Sequence, residues 1–156
     1  MQTRWTLALA GLALVVSAQA TGAPYDEAAD AKAAIRQALV QAAPTGQAVL
    51  VVFGANWCPD CKVLDLAMTE GPAAALVARE FRVVKVDVGR FDRNLDVAEA
   101  HGVPLKKGIP AVAMVAPDRG VVYVTRAGEL ADARRMGDTG ILDFFKGIAE
   151  RRRSKP

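Results

Sequence analysis

The chain has 156 residues, and 20 Lys and Arg set against 17 Asp and Glu leave a net charge of +3. That length suits one domain with its own hydrophobic core. So mild a charge, with its densest basic run (Arg151, Arg152, Arg153, Lys155) at the extreme end and no aromatic ladder beside it, excludes a nucleic-acid groove.

Residues 1–20 read as a cleavable signal peptide. Arg4 gives a basic start, residues 5–16 carry no charge, and Ser17-Ala18-Gln19-Ala20 is the small-x-small end that a signal peptidase needs. The apolar run is too short to span a bilayer. A periplasmic or secreted protein is expected, with residues 21–46 a helical extension, residues 47–152 the main domain and residues 153–156 a solvated basic tail.

Residues 25–42 predict an amphipathic helix, with Ala28, Ala31, Ile35, Leu39 and Ala42 recurring every three or four positions, and Pro44-Thr45-Gly46 stops it. Residues 48–55, AVLVVFGA, read as a strand buried on both faces. A helix follows over residues 59–68. Pro72 sits where it could open another at its first position, sending Ala75, Leu76 and Phe81 inward. Residues 82–88 return to a strand, and residues 94–101 form a short helix ending at His101, read as a helix-end or surface residue. Residues 111–116 and 121–125 make an antiparallel hairpin around Pro117-Asp118-Arg119-Gly120. Residues 128–137 read as a loop with a short helical turn. The last helix, residues 139–152, places Ile141, Leu142, Phe144, Phe145 and Ile148 at helical spacing. This order predicts an α/β fold, a central mixed sheet with helices on both faces.

Both cysteines of the chain, Cys58 and Cys61, lie in GANWCPDCK, residues 54–62. A bridge between them would close a very small loop and remove little entropy from the unfolded chain, so a structural staple explains them poorly. A zinc site would need two further ligands where the chain offers one distant histidine, His101. Redox chemistry fits better. With Cys58 at the N-cap of the helix and Pro59 at its first position, Cys61 falls on the same face, and the helix N-terminus favours a thiolate on an exposed Cys58.

VVFGANWCPDCKVLD closely resembles the active-site segment of the thioredoxin superfamily, and GIPA, residues 108–111, resembles the family's loop before the next strand. The likeness covers roughly residues 47–152. It implies a thiol–disulfide oxidoreductase with Cys58 as nucleophile and Cys61 as resolving thiol, needing no organic cofactor or metal. It also implies that Trp57 packs beside the pair, that Pro59 tunes it, and that Pro110 is cis with Ile109 offering its backbone to an extended client. The expected partners are protein thiols or disulfides and an upstream redox partner such as a membrane thiol reductase, the protein itself being a monomer. Lys62, and Lys106 and Lys107 beside the loop, could meet acidic partners or serve solubility alone. A noncatalytic binding or assembly module on the same scaffold is the competing reading.

The chain departs from thioredoxin at Val52, where thioredoxin has a buried aspartate that serves the resolving thiol. Another carboxylate or water must then assist Cys61. Asp60 should favour its helix dipole while opposing negative charge on Cys58. With no positive or hydrogen-bonding help foreseen there, a reductant or electron carrier is expected over a strong oxidant.

Overall fold

A computed structural model describes residues 22–154. The signal-peptide reading and the last two residues lie outside that range. The elements run α1 (Ala31–Ala42), β1 (Ala48–Gly54), α2 (Pro59–Thr69), α3 (Ala74–Glu80), β2 (Phe81–Asp87), α4 (Leu95–Ala100), β3 (Ala111–Ala116), β4 (Gly120–Val124) and α5 (Ala133–Arg153). The four strands form one mixed sheet in the order β2-β1-β3-β4. β1 pairs parallel with β2 and antiparallel with β3, and β4 closes the hairpin.

The sheet separates two apolar layers, as the uninterrupted burial of β1 requires. Val49, Val51 and Phe53 face α1 and α4, whereas Leu50 and Val52 face Leu64 of α2, Val77 of α3 and Phe145 of α5. Period-two alternation along one strand thus fills both halves of the core.

Several boundaries differ from expectation. α1 starts at Ala31 rather than at residue 25, because two aspartates compete for the backbone: Asp26 Oδ1 accepts from Ala28 N–H at 2.9 Å and Asp30 Oδ1 caps the helix through Ala33 N–H at 3.0 Å. Ala28 is therefore exposed, and Tyr25 enters the core instead. Pro72 does not open α3. A turn closed by Ala74 N–H on the Gly71 carbonyl at 2.9 Å holds it ahead of the helix, and Ala75 is exposed with Leu76 only half-buried. Helical structure begins again at Ala133 and kinks at Gly137, whose φ of 65° few other residues adopt.

The C-terminal arginines are not simply a solvated tail. Arg152 donates to the buried Glu80 and to the Gly46 carbonyl, Arg153 lies 3.8 Å from Glu80, and the Arg151 guanidinium sits 5.5 Å from the Tyr123 ring. Burial pushes the Glu80 carboxyl up, but its arginine partners hold it below the ordinary glutamate value. These contacts fix the end of α5 to the end of α3. Among the described residues no helix is long and apolar enough to cross a membrane.

Candidate active site

The dithiol occupies the bend from β1 into α2. Cys58 is the N-cap, with extended backbone (φ −83°, ψ 116°), and its sulfur accepts the Cys61 N–H at 3.2 Å. Pro59, exposed at the first helical position, lacks only an N–H that the helix would leave unpaired. Both cysteines are free thiols. The Ile109 carbonyl lies 3.7 Å from the Cys58 sulfur, and the Ile109–Pro110 peptide is cis. Cys58 is only 4% exposed, against the exposed position expected for it. The helix start and the loop at residues 108–110 close around the sulfur more tightly than a bend alone would.

The two sulfurs do not titrate alike. The hydrogen bond from Cys61 outweighs burial and lowers the Cys58 pKa to about 7, with help from the backbone N–H groups of Cys61 and Asp60. Cys61, fully buried, is pushed far up by its hydrogen bond to Cys58 and by burial. Of the two sulfurs, Cys58 is thus the one whose thiolate is favoured near neutral pH, while Cys61 is held in the protonated form.

Asp60 opposes the Cys58 charge as expected, yet it is not alone. It is buried, and its Oδ1 accepts the Arg134 backbone N–H at 3.0 Å and the Arg134 Nε at 3.2 Å. Burial pushes the Asp60 carboxyl up, and the two Arg134 bonds more than offset it, so Asp60 stays ionised. The carboxylate thus caps the first turn of α5 across 74 residues of sequence. The expectation that positive and hydrogen-bonding help would be missing at Asp60 is corrected. Arg134 supplies both, and its own raised pKa owes most to Asp60 and least to Cys58.

Trp57 is 40% exposed and belongs to the rim. Its Nε1 donates to the Gly89 carbonyl at 2.8 Å, the Arg90 guanidinium stands 4.8 Å from its ring, and Phe91 meets it edge-on at 6.2 Å. The turn after β2 therefore sets the indole, a contact that spacing around the cysteines does not reveal. Lys62, Lys106 and Lys107 are exposed, the last two beside the Ile109 loop. His101 caps α4, with Nδ1 2.7 Å from the Val97 carbonyl. Among the described residues no group of three or more His, Cys, Asp and Glu side chains could hold a metal ion.

Three site residues carry no signal in the sequence. Arg134 is one. Asn56 is another: its side chain accepts the Tyr25 N–H at 2.9 Å and donates to the Tyr25 carbonyl at 2.8 Å, tying the segment before α1 to the active-site bend. Tyr25 is the third, 2% exposed, with its hydroxyl against Gly54 and the Cys61 sulfur. Val52 belongs to the opposite layer, packed with Leu64 and Phe145.

A family model described as thioredoxin-like matches residues 30–117. Seven solved chains match. One is the crystal structure of a disulphide isomerase from Xylella fastidiosa Temecula1, 50% identical with a TM-score of 0.79, over 83% of this chain and 98% of that one. No curated protein matches.

Proposed function

The chain belongs to the thioredoxin-like family, and from that premise we propose that it is an exported thiol–disulfide oxidoreductase that reduces or rearranges disulfides in protein clients. The observation that carries this reading is the asymmetry of the dithiol: a Cys58 thiol near neutral pKa at a helix N-terminus, beside a Cys61 that keeps its proton. The Cys58 thiolate attacks a client disulfide, one client sulfur leaves, and a mixed disulfide forms; Cys61 then attacks Cys58 and releases the second client thiol. The two sulfurs carry both electrons, so the reaction calls for no organic cofactor or metal.

The same sulfur supports a direction. A strong periplasmic oxidant stabilises its nucleophile to a pKa of about 3.5, whereas thioredoxin keeps its own near about 7. Cys58 stands with the second. A modestly stabilised thiolate goes with a reducing couple, which favours a reductant, electron carrier or isomerase. The solved relative described as a disulphide isomerase supports the same side of the balance.

Clients lie along the Ile109–Pro110 loop in extended form, between the exposed Trp57 rim and Lys106 and Lys107. The protein works as a monomer, and its electrons come from an upstream thiol reductase such as one held in the membrane. Export rests on the basic start, apolar run and small-residue end of residues 1–20.

Equilibration of the purified protein with glutathione buffers tests the direction. A potential between about −180 and about −270 mV sustains it, and one near about −120 mV overturns it. A Cys61→Ser variant should accumulate mixed disulfides through Cys58. If that variant traps no client and the wild type reduces no disulfide, the noncatalytic binding module becomes the better reading.

A further inference from the structure

The resolving thiol of this dithiol lacks the carboxylate that thioredoxin places behind it, because Val52 occupies that position and faces the other layer. What stands against the Cys61 sulfur is a hydroxyl. A β-carbon built on Gly54 would lie 2.2 Å from Tyr25 Oη and 2.9 Å from Cys61 Sγ, so both atoms converge on the space that this glycine leaves open. The tyrosine is 2% exposed, and the paired Asn56 hydrogen bonds hold its backbone. So deep a phenol is not there for solubility, and a buried O–H needs a partner. The Cys61 sulfur, which converges with it on the space beside Gly54, is the acceptor offered there.

The geometry assigns to Tyr25 a catalytic role in the proposed exchange reaction: its hydroxyl donates to the Cys61 sulfur and stabilises the thiolate that resolves the mixed disulfide. The inference rests on the exchange reading above. In the resolving step the Cys61 thiol loses its proton to solvent, and its sulfur attacks Cys58. A Cys58–Cys61 bond forms as the Cys58–client bond breaks. The electron pair departs on the client sulfur, which takes up a proton from solvent. The dithiol is oxidised by two electrons and the client disulfide is reduced by two. Tyr25 keeps its own proton throughout. It can do so because burial first, then the neighbouring charges of Cys61, Asp65 and Cys58, hold the phenol well above its ordinary pKa. Asp65 itself pairs with Lys85 of β2. A phenol that does not ionise is a donor at every working pH, suited to a sulfur that becomes anionic only during the reaction.

Reaction with Ellman's reagent separates the two steps, since Cys58 attack releases one thionitrobenzoate and Cys61 resolution releases the second. In Tyr25→Phe the first phase should stay within about twofold of wild type. The second should slow about three- to tenfold, the loss expected for one charge-assisted hydrogen bond damped by the lower nucleophilicity of a stabilised thiolate. Its pH profile should shift upward. A second phase within twofold of wild type and an unmoved profile would overturn the assignment. Should Tyr25→Phe not fold, 3-fluorotyrosine at position 25, a stronger donor of the same shape, should quicken the second phase, and no change would count against the role. If the wild type shows neither phase, the exchange reading fails by itself. Tyr25 is then judged by the 13Cβ titration of Cys61 in Cys58→Ser, which Tyr25→Phe must move to higher pH for the contact to stand.

Discussion

Asp60 and Arg134 act on Cys58 as a pair. The carboxylate alone raises the energy of a second negative charge beside it, and the guanidinium bonded to that carboxylate offsets part of that penalty. Removing Arg134 by substitution with Gln should move the midpoint of the Cys58 alkylation profile above its position near 7 and slow alkylation at neutral pH by about two- to threefold, the scale of one screened charge at a protein surface. Asp60→Asn should move the midpoint the other way. If Arg134 works through Asp60, Arg134→Gln should change little once Asp60 is Asn. An equal effect in both backgrounds would instead place the arginine's action directly on the sulfur. The CxxC sequence shows Asp60 but not its partner, because the pairing depends on where the start of α5 is packed.

At the scale of elements, the site depends on the end of β1. Gly54 is the last residue of that strand, and the space beside its Cα is filled by the Tyr25 ring and the Cys61 sulfur. Gly54→Ala should cost about 1–3 kcal/mol through overpacking, read as a lower Tm, and should disturb the second Ellman phase more than the first. An unchanged Tm would show that the segment before α1 can withdraw freely. The sequence pattern made β1, α2 and the hairpin legible, since strand burial, Pro59 and the Gly120 turn are local signals. It placed the start of α1 too early because alanine periodicity continues through residues 28–31, while the competing Asp26 and Asp30 hydrogen bonds are decided one residue at a time. The Gly128 to Gly137 stretch was legible only as a turn within a loop. The structure makes its helical turn, residues 133–136, the bearer of Arg134.

For the molecule as a whole, the ends of the domain are held by charge as well as by the two apolar layers. Glu80 is buried between Arg79 and Arg152, and its folded pKa lies below that of an unfolded glutamate. Its contribution is therefore complete above about pH 4.3 and is lost as pH falls through the folded value. Glu80→Gln should lower stability at pH 7 by about 1–3 kcal/mol, and the gap in urea midpoints should narrow by pH 3. A gap that persists at pH 3 would assign the loss to packing rather than to charge. Sequence alone determined the layered α/β class and the dithiol at a helix N-terminus, because apolar strand runs and helix-start chemistry act over a few neighbouring residues, while the loop at GIPA was marked by its resemblance to the thioredoxin superfamily. Only the tertiary structure decided what faces each sulfur. Tyr25, Arg134 and the turn carrying Arg90 reach the site from segments tens of residues away, and such meetings are set by how the layers pack, which no local pattern encodes.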